Sequence, residues 1–579
     1  MLILRYSFSD EGRSVLSGKH IGDWPVVYLI HNDDEAYVGE TCSFVNRFSQ
    51  HLSNPNRRNL KEICVILDDE FNKSATLDIE QSLIQLFNAD ERFNLQNLNA
   101  GQSVKHDYYQ RELYTNKLPD IWRELQAMGL AVHDFEELRN SPLFKFSPYI
   151  SLTAEQNDVC MDVLSDMLEK LVEGSEGTSV IHGSAGTGKT VMAINMMFML
   201  CTASEVSKDP SKVTVGFTDE QMVVHDLFNY IKENGGLRIG LVVPMASLRK
   251  TLRFVFSNTK NGLKGSMVMG PNDVVSEFIN SGFEPFDVLF VDESHRLARR
   301  KNITSYRSFD NASEMLGMNP EVSTQLDWIV RCSRYRVLFY DVDQTVKGAD
   351  ITPEQFDEAI GPSREDYILN TQLRCEAGGE YLHYLDRILR CRQAKAENVE
   401  NYDLCLFDDV NDMVTSIKRL DKSMGLCRNV AGYSWPWKTK GMKSEDIKAQ
   451  GLYDIEIEGY RYVWNMSNVE WIMRKESVDE IGCIHTTQGY DLNYVGVIFG
   501  REIDYDECEN RIVVDFDRFY DSNVKKGTDP DVVRKYILNA YKVMMTRGIK
   551  GCYIYVCNPS LRKYLGRFIK SNSARSSSC

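Results

Sequence analysis

Apolar and polar positions alternate in three distinct ways along the chain. Between residues 1 and 105 the runs are short and mostly of period two. Val26-Val27-Tyr28-Leu29-Ile30 is followed by a polar turn at Asn32-Asp33-Asp34 and by Ala36-Tyr37-Val38-Gly39. Side chains on a strand face opposite sides in turn, so this pattern predicts a β-hairpin, with two tyrosines at equivalent positions on its strands. A helix is expected next, with Arg47 and His51 four apart and therefore on one face. A later helix carries Glu80 within Asp78-Ile79-Glu80-Gln81-Ser82-Leu83-Ile84, and Phe93-Asn94-Leu95 closes the unit. Residues 106–150 are polar and aromatic with helical spacing over Leu113–Leu130, and read as a helical connector. From 151 to 570 strand-length apolar runs alternate with helical segments. The strand candidates are Ser179-Val180-Ile181, Ile239–Val243, Val288–Val291, Val337–Tyr340, Val495–Phe499 and Cys552–Val556. That alternation predicts parallel α/β sheets, and about 420 residues suit two of them rather than one. The expected order is a small α+β unit, a first lobe over 151–348, a second over 349–570 and a low-complexity tail over 571–579, with 202–236 read as an insertion of unassigned role.

Composition narrows the class without choosing a function. Of 579 residues 43% are hydrophobic and 26% charged, as in ordinary globular proteins. The net charge of −16, from 83 acidic and 67 basic side chains, argues against binding of polyanions by bulk charge but leaves room for a local basic groove. Arg57-Arg58, Arg296 with Arg299-Arg300-Lys301, and Arg331, Arg334 and Arg336 form basic clusters, each read first as a solvated face. The 14 cysteines contain no C-x-x-C pair, which removes zinc-ribbon and thioredoxin-like sites. No apolar run is long enough to span a membrane, and a reduced, cytoplasmic protein is expected.

The chemistry begins at Ile181-His182-Gly183-Ser184-Ala185-Gly186-Thr187-Gly188-Lys189-Thr190. The spacing from Gly183 to Thr190 is that of the phosphate-binding loop, set between a strand and a helix. Its backbone N–H groups would cradle phosphates, Lys189 would reach the β- and γ-phosphates, and Thr190 would hold Mg²⁺. The apolar run Val288–Val291 ends in Asp292-Glu293-Ser294-His295. An acid at the end of a neighbouring strand is what such a loop needs to orient Mg²⁺, here Asp292, and Glu293 is placed to act on the attacking water.

The run Asp-Glu-Ser-His resembles the D-E-x-x box of superfamily 1 helicases, and further segments follow that family's order. Gln156, in Leu152-Thr153-Ala154-Glu155-Gln156, resembles the glutamine that reads adenine. Tyr340-Asp341-Val342-Asp343-Gln344 resembles the third motif, in which Gln344 would sense the γ-phosphate. Asn370-Thr371-Gln372-Leu373-Arg374, His485-Thr486-Thr487-Gln488-Gly489-Tyr490-Asp491 and Met545-Thr546-Arg547 resemble the fourth, fifth and sixth. The resemblance makes Arg374 and Arg547 the arginines that meet the γ-phosphate. A closer likeness is to the Schlafen-like AAA group of P-loop ATPases, through Val243-Pro244-Met245-Ala246-Ser247-Leu248-Arg249 and Asn429-Val430-Ala431-Gly432-Tyr433-Ser434-Trp435-Pro436-Trp437. Trp435 and Trp437 could stack bases, though partly buried packing is the preferred reading. Two RecA-like lobes are implied.

The first hundred residues resemble the GIY-YIG nuclease domain. Tyr28 matches its first tyrosine, Tyr37-Val38-Gly39 its second triplet, Arg47 and His51 its arginine and histidine, Glu80 its metal-binding glutamate and Asn94 its closing asparagine. Val26 stands where the family has glycine, and the tyrosine-to-tyrosine spacing is short. Together the resemblances imply an ATP-driven, superfamily 1-like motor fused to a divalent-metal endonuclease, fitted to defence against foreign DNA. ATP and Mg²⁺ are the expected cofactors, with Mn²⁺ an alternative at the nuclease site. Duplex or branched DNA is the expected partner, with RNA left open and no membrane. A gated nuclease that does not unwind, and a weak binder of branched nucleic acid, remain the alternative readings.

Overall fold

The computed structural model describes residues 1–17, 23–97, 108–208, 220–259, 262–341, 344–345, 347–375, 378–467, 471–487, 489–526 and 528–572. Val342, Asp343 and Gln488, quoted above in helicase-like segments, lie outside the described residues, as do 209–219 of the insertion and the tail from 573. The chain divides into two compact units. The first comprises Met1–Ser165, Val191–Gly236 and Phe254–Gly265, and the second the remainder.

The first unit holds a five-stranded sheet in the order β1 (Leu2–Ser7), β4 (Glu62–Leu67), β2 (Val26–His31), β3 (Glu35–Thr41), β5 (Asn94–Leu95). All pairs are antiparallel except β3 with β5. The predicted hairpin is β2–β3, in register Tyr28 with Gly39 and Ile30 with Tyr37. Its turn closes because the Asn32 side-chain oxygen accepts the N–H groups of Asp34 and Glu35 at 2.8 and 2.6 Å. The central strand β2 is buried at all six positions, which accounts for its unbroken apolar run. Tyr28, Phe44, Phe48, Ile63 and Val65 form the core between this sheet and the helix Phe44–Ser53.

Four short helices, Arg111–Thr115, Leu118–Ala127, Phe135–Asn140 and Pro142–Lys145, lie in the segment expected to be a helical connector and belong to the first unit. Leu118, Ile121, Trp122 and Leu125 make an apolar stripe that needs a partner, and Trp122 packs on Phe87 of the helix Lys73–Asp90 at 5.0 Å between rings. Polar contacts pin the same helix: Arg111 to Asp78 at 2.8 Å, and Gln85 to the Tyr149 carbonyl at 2.8 Å. Buried Asp90 accepts the N–H groups of Val132 and His133 at 3.1 and 2.8 Å and faces the His133 ring at 2.9 Å. Asp90→Ala removes the acceptor of two part-buried N–H groups, at about 1 kcal/mol each. Faster proteolytic cleavage between residues 127 and 135 is the expected result, read against the exposed control Asp120→Ala.

The second unit contains two wholly parallel sheets. One runs β11 (Glu365–Leu369), β6 (Gly177–Gly183), β10 (Ser333–Tyr340), β9 (Phe286–Val291), β7 (Ile239–Val242), β8 (Val268–Met269). The other runs β12 (Asp403–Phe407), β20 (Gly548–Val556), β17 (Leu492–Phe499), β13 (Cys427–Ala431), β16 (Ile481–Gly482). Two small antiparallel hairpins, β14 (Ile455–Ile457) with β15 (Tyr460–Tyr462) and β18 (Ile503–Asp506) with β19 (Arg511–Val514), complete the strands. The fold is mixed α/β with parallel, RecA-like lobes. Parallel strands are covered on both faces, which is why they read as continuous apolar runs. The first sheet extends past the expected limit of 348, because β11 returns to pair with β6. No helix among the described residues is long and apolar enough to cross a membrane.

Candidate active sites

Strand β6 delivers the phosphate loop, and the helix Lys189–Lys208 leaves it. Ser184, Ala185, Gly186, Thr187 and Gly188 form the turn between them. Gly186 has φ +87°, a left-handed conformation that glycine adopts without strain, and a side chain there would also overlap Gln372. Lys189 is buried and its Nζ donates to the Gly183 and Ser184 carbonyls at 2.6 and 3.0 Å, with Asp341 3.7 Å away. Thr190 Oγ1 donates to Asp292 Oδ2 at 2.8 Å, which joins the two residues expected to share Mg²⁺.

Asp292 and Glu293 end β9 side by side and buried, and Glu293 is in the left-handed region with φ 51°. A non-glycine residue held there is sterically strained, as occurs at functional sites. Burial, and then the Glu293 charge, raise the Asp292 carboxyl above the usual carboxylate range. Burial pushes Glu293 the same way but is outweighed by His295, Lys189 and Arg547, so Glu293 is held ionised. His295 Nδ1 accepts the Asp341 N–H at 3.3 Å. Its Nε2 lies 2.9 Å from Glu293 Oε2.

A polar chain completes the site. Arg547 donates to Gln344 Oε1 at 3.3 Å, and Gln344 Nε2 donates to Asp341 Oδ2 at 2.7 Å, which brings Arg547 within three links of Lys189. Arg374 pairs with Asp491, and its N–H donates to Gln372 Oε1 at 2.8 Å. Gln372 in turn donates to the Ala185 carbonyl, and the Leu373 N–H donates to the Gly186 carbonyl at 2.9 Å. Burial, and then repulsion from Arg374, lower the Arg547 guanidinium to about 9. Arg374 Nη1 and Arg547 Nε are buried donors without an acceptor among the described residues. Together with Lys189 and the oxygens of Thr190 and Asp292, they fit a magnesium–nucleoside triphosphate. Asp341, His295 and Gln372 stood inside the runs quoted above without a role; only their through-space partners supply one.

Gln156 opens the helix Ala154–Glu173. Its Oε1 accepts the Thr153 N–H at 3.0 Å, and its own N–H donates to Thr153 Oγ1 at 3.2 Å. Thr-x-x-Gln is a capping box for this helix. Trp435 is buried in the core of the second sheet and Trp437 packs near Trp464 at 5.9 Å, so both serve packing.

In the first unit five of the six nuclease-like residues gather. Tyr28 Oη lies 2.7 Å from His51 Nε2, and the Tyr37 ring is 6.4 Å from that of Tyr28 and 5.2 Å from that of His51. Arg47 Nη1 donates to Gln50 Oε1 at 2.9 Å, and although burial lowers its pKa the nearby Tyr28 and Tyr37 phenols outweigh that and raise it. Burial, and then the neighbouring Glu40 charge, push the Glu80 carboxyl up to about 8. Glu40 pairs with Lys73 and accepts from Thr76 Oγ1 at 3.1 Å. Among the described residues no group of three or more His, Cys, Asp or Glu gathers as a metal cage. Glu80 with Glu40 supplies hard oxygens suited to a divalent cation that keeps much of its water. A side chain at Gly39 would overlap the Tyr28 phenol oxygen. Gly39→Ala is expected to displace Tyr28 and to destabilise the first unit by about 1–3 kcal/mol, read as an earlier first transition on denaturant unfolding.

The structure does not bring Asn94 to this cluster. Asn94 is exposed on β5, beside Asn32, Arg58, Lys61 and Arg92. The asparagine that closes the core is Asn97, buried, whose side chain accepts the Val38 N–H at 3.0 Å and donates to the Val38 carbonyl at 2.8 Å.

Two parallel sheets, a phosphate loop and a strand-end acid pair make the second unit a helicase-like P-loop ATPase domain. The family model for the Schlafen group 3, DNA/RNA helicase domain matches residues 177–558, and the chain belongs to that family. An uncharacterized protein of Saccharomyces cerevisiae, YPL245W, is 27% identical over 453 residues, spanning 72% of this chain and 91% of that protein. Among solved structures, the Pif1 helicase from Candida albicans is similar at 11% identity and TM-score 0.27, covering 74% of this chain and 99% of that one. A DEAD box protein from Methanococcus jannaschii is similar at 12% identity and TM-score 0.22, covering 70% and 88%. Scores this low carry no argument, and membership rests on the family model.

Proposed function

We propose that the chain hydrolyses ATP to move along or clamp nucleic acid, and that its first unit is a GIY-YIG-type endonuclease that cuts DNA. The observation that carries the motor reading is the chain Arg547–Gln344–Asp341–Lys189. It ties an arginine of the second sheet to the phosphate-loop lysine, so occupancy of the loop would be felt in both lobes. In this reading Lys189, Arg374 and Arg547 bind the phosphates, and Glu293, kept ionised by its cationic neighbours, takes the proton of the attacking water. Mg²⁺, held by Thr190 and Asp292, would neutralise the charge that develops on the phosphate oxygens. The nuclease reading is supported by the Tyr28, Tyr37, Arg47, His51 and Glu80 cluster. There Arg47 would grip the scissile phosphate and Glu80 would hold the divalent cation that stabilises the leaving oxygen. Cutting of foreign DNA is the setting such a pairing suits.

One experiment addresses both halves. The full chain is incubated with ATP, Mg²⁺ and plasmid, linear or forked DNA, with matched RNA in parallel, and with Lys189→Ala alongside. Nucleic-acid-stimulated ATP turnover with metal-dependent nicking supports the reading. DNA-stimulated turnover without strand displacement on the fork would remove unwinding from it, and preference for RNA would reassign the substrate.

A further inference from the structure

Arg57 is the member of the early basic pair that the fold buries, at 8% exposure, while Arg58 is exposed. It ends the short turn Pro55–Arg57 that follows the helix Phe44–Ser53. Its guanidinium stacks 3.7 Å over the Tyr37 ring, and its Nη1 is 3.2 Å from His51 Nε2. Among the described residues no carboxylate lies within ion-pair reach of it. A buried cation with only aromatic partners and an imidazole is costly, so its placement calls for a reason.

The reason follows from donor counting. A guanidinium only donates hydrogen bonds. His51 Nε2, contacted by both Arg57 and Tyr28, must therefore present its single lone pair, which the Tyr28 hydroxyl at 2.7 Å and the Arg57 N–H at 3.2 Å share as donors in a three-centre bond. We propose that Arg57 is a positioning residue. It holds His51 as the neutral imidazole with Nε2 turned to Tyr28, ready to receive the Tyr28 proton. The use of that proton rests on the nuclease reading; the tautomer does not.

The step balances as a relay. Water gives a proton to Tyr28 Oη as Tyr28 gives its own to His51 Nε2. The water oxygen bonds to phosphorus, the bond from phosphorus to the leaving sugar oxygen breaks, and that oxygen takes a proton from solvent. Burial drives the Tyr28 phenol above its ordinary value, so a free phenolate does not accumulate and the two transfers are concerted. The groups that touch His51 are Tyr28 from β2, Tyr37 from β3 and Arg57 from the following turn, and Arg47 of its own helix acts on Arg57. Arg13, on the helix Asp10–Ser17, is held by Asp10 and Ser49, and Glu80 acts through Tyr28. The cations outnumber the acids at the imidazole, which favours its neutral form.

The test uses the full chain with ring-labelled histidines, His51 being assigned by its loss in His51→Gln. Wild type should show His51 protonated on Nδ1 alone at pH 7. In Arg57→Met the His51 pKa should rise by about one unit, because a neighbouring cation is gone. Arg57→Lys should move it less. The acid limb of the nicking profile should shift upward by the same amount. An Nε2–H tautomer in wild type, or an unmoved His51 in Arg57→Met, overturns the inference, as does a rise in KM with no movement of the profile. If the tautomer and shift appear but wild type cuts no DNA, the inference stands and the nuclease reading falls. If Arg57→Met does not fold, the wild-type tautomer and Arg57→Lys decide.

Discussion

Lys189→Ala and Glu293→Gln should each reduce ATP turnover by about 10²–10³-fold, the scale on which single preorganised electrostatic contacts act in catalysis. Nucleotide binding should separate them. Lys189 is the cation on the loop, and its removal also leaves Asp341 without the positive neighbour 3.7 Å away, so the alanine variant should lose ATP affinity as well as turnover. Glu293→Gln keeps the volume and the strained backbone but removes the proton acceptor, and should bind ATP normally while failing to hydrolyse it. Equilibrium binding of a fluorescent ATP analogue beside steady-state phosphate release distinguishes the two. Turnover near the wild-type rate in both variants would contradict the site. Gln344→Ala, which cuts the link between Arg547 and Asp341 without touching the loop, should fall between them, chiefly in turnover.

The helicase-like half was legible because its motifs are local and lie at strand ends. Thr190 and Asp292 are joined by the fold although β10 separates their strands, since β6 and β9 run parallel on its two sides and bring their carboxyl ends to one edge of the sheet. Strand β11 was not legible: Glu365-Asp366-Tyr367-Ile368-Leu369 is an edge strand, largely exposed, and carries no apolar run. The docking of residues 106–150 was hidden for another reason. It depends on Asp90 meeting Val132 and His133 some forty positions away, and periodicity reports nothing about such pairs. In the first unit the tyrosines, Arg47, His51 and Glu80 were visible as types at a spacing. Asn94 and Asn97 could not be told apart, because β5 is two residues long and only its end decides which amide turns inward. Arg57 read as a solvated charge, and only the burial of its turn shows otherwise.

Arg47→Ala and Glu80→Gln should both abolish metal-dependent nicking of plasmid DNA, by about 10³-fold or more if one contributes the phosphate contact and the other the cation site. Their effects on stability should differ in sign. Arg47 is the cation beside the two phenols, so its loss loosens the Tyr28–Tyr37 face. Glu80 is a carboxyl that the fold holds protonated up to about pH 8, whereas the unfolded chain releases that proton near the ordinary value of 4.5. The folded state therefore binds more protons between those limits. Metal-free wild type should lose stability as pH rises from 4.5 to about 8 and level off above. Glu80→Gln removes this term, so its unfolding midpoint should exceed that of wild type at pH 8 without metal and converge with it at pH 4. A divalent cation should restore wild-type stability at pH 8 and leave the glutamine variant unmoved. Nicking by Glu80→Gln at the wild-type rate would remove the residue from the cation site. A midpoint difference that does not vary with pH would show that the half-buried carboxyl is not held protonated beside Glu40.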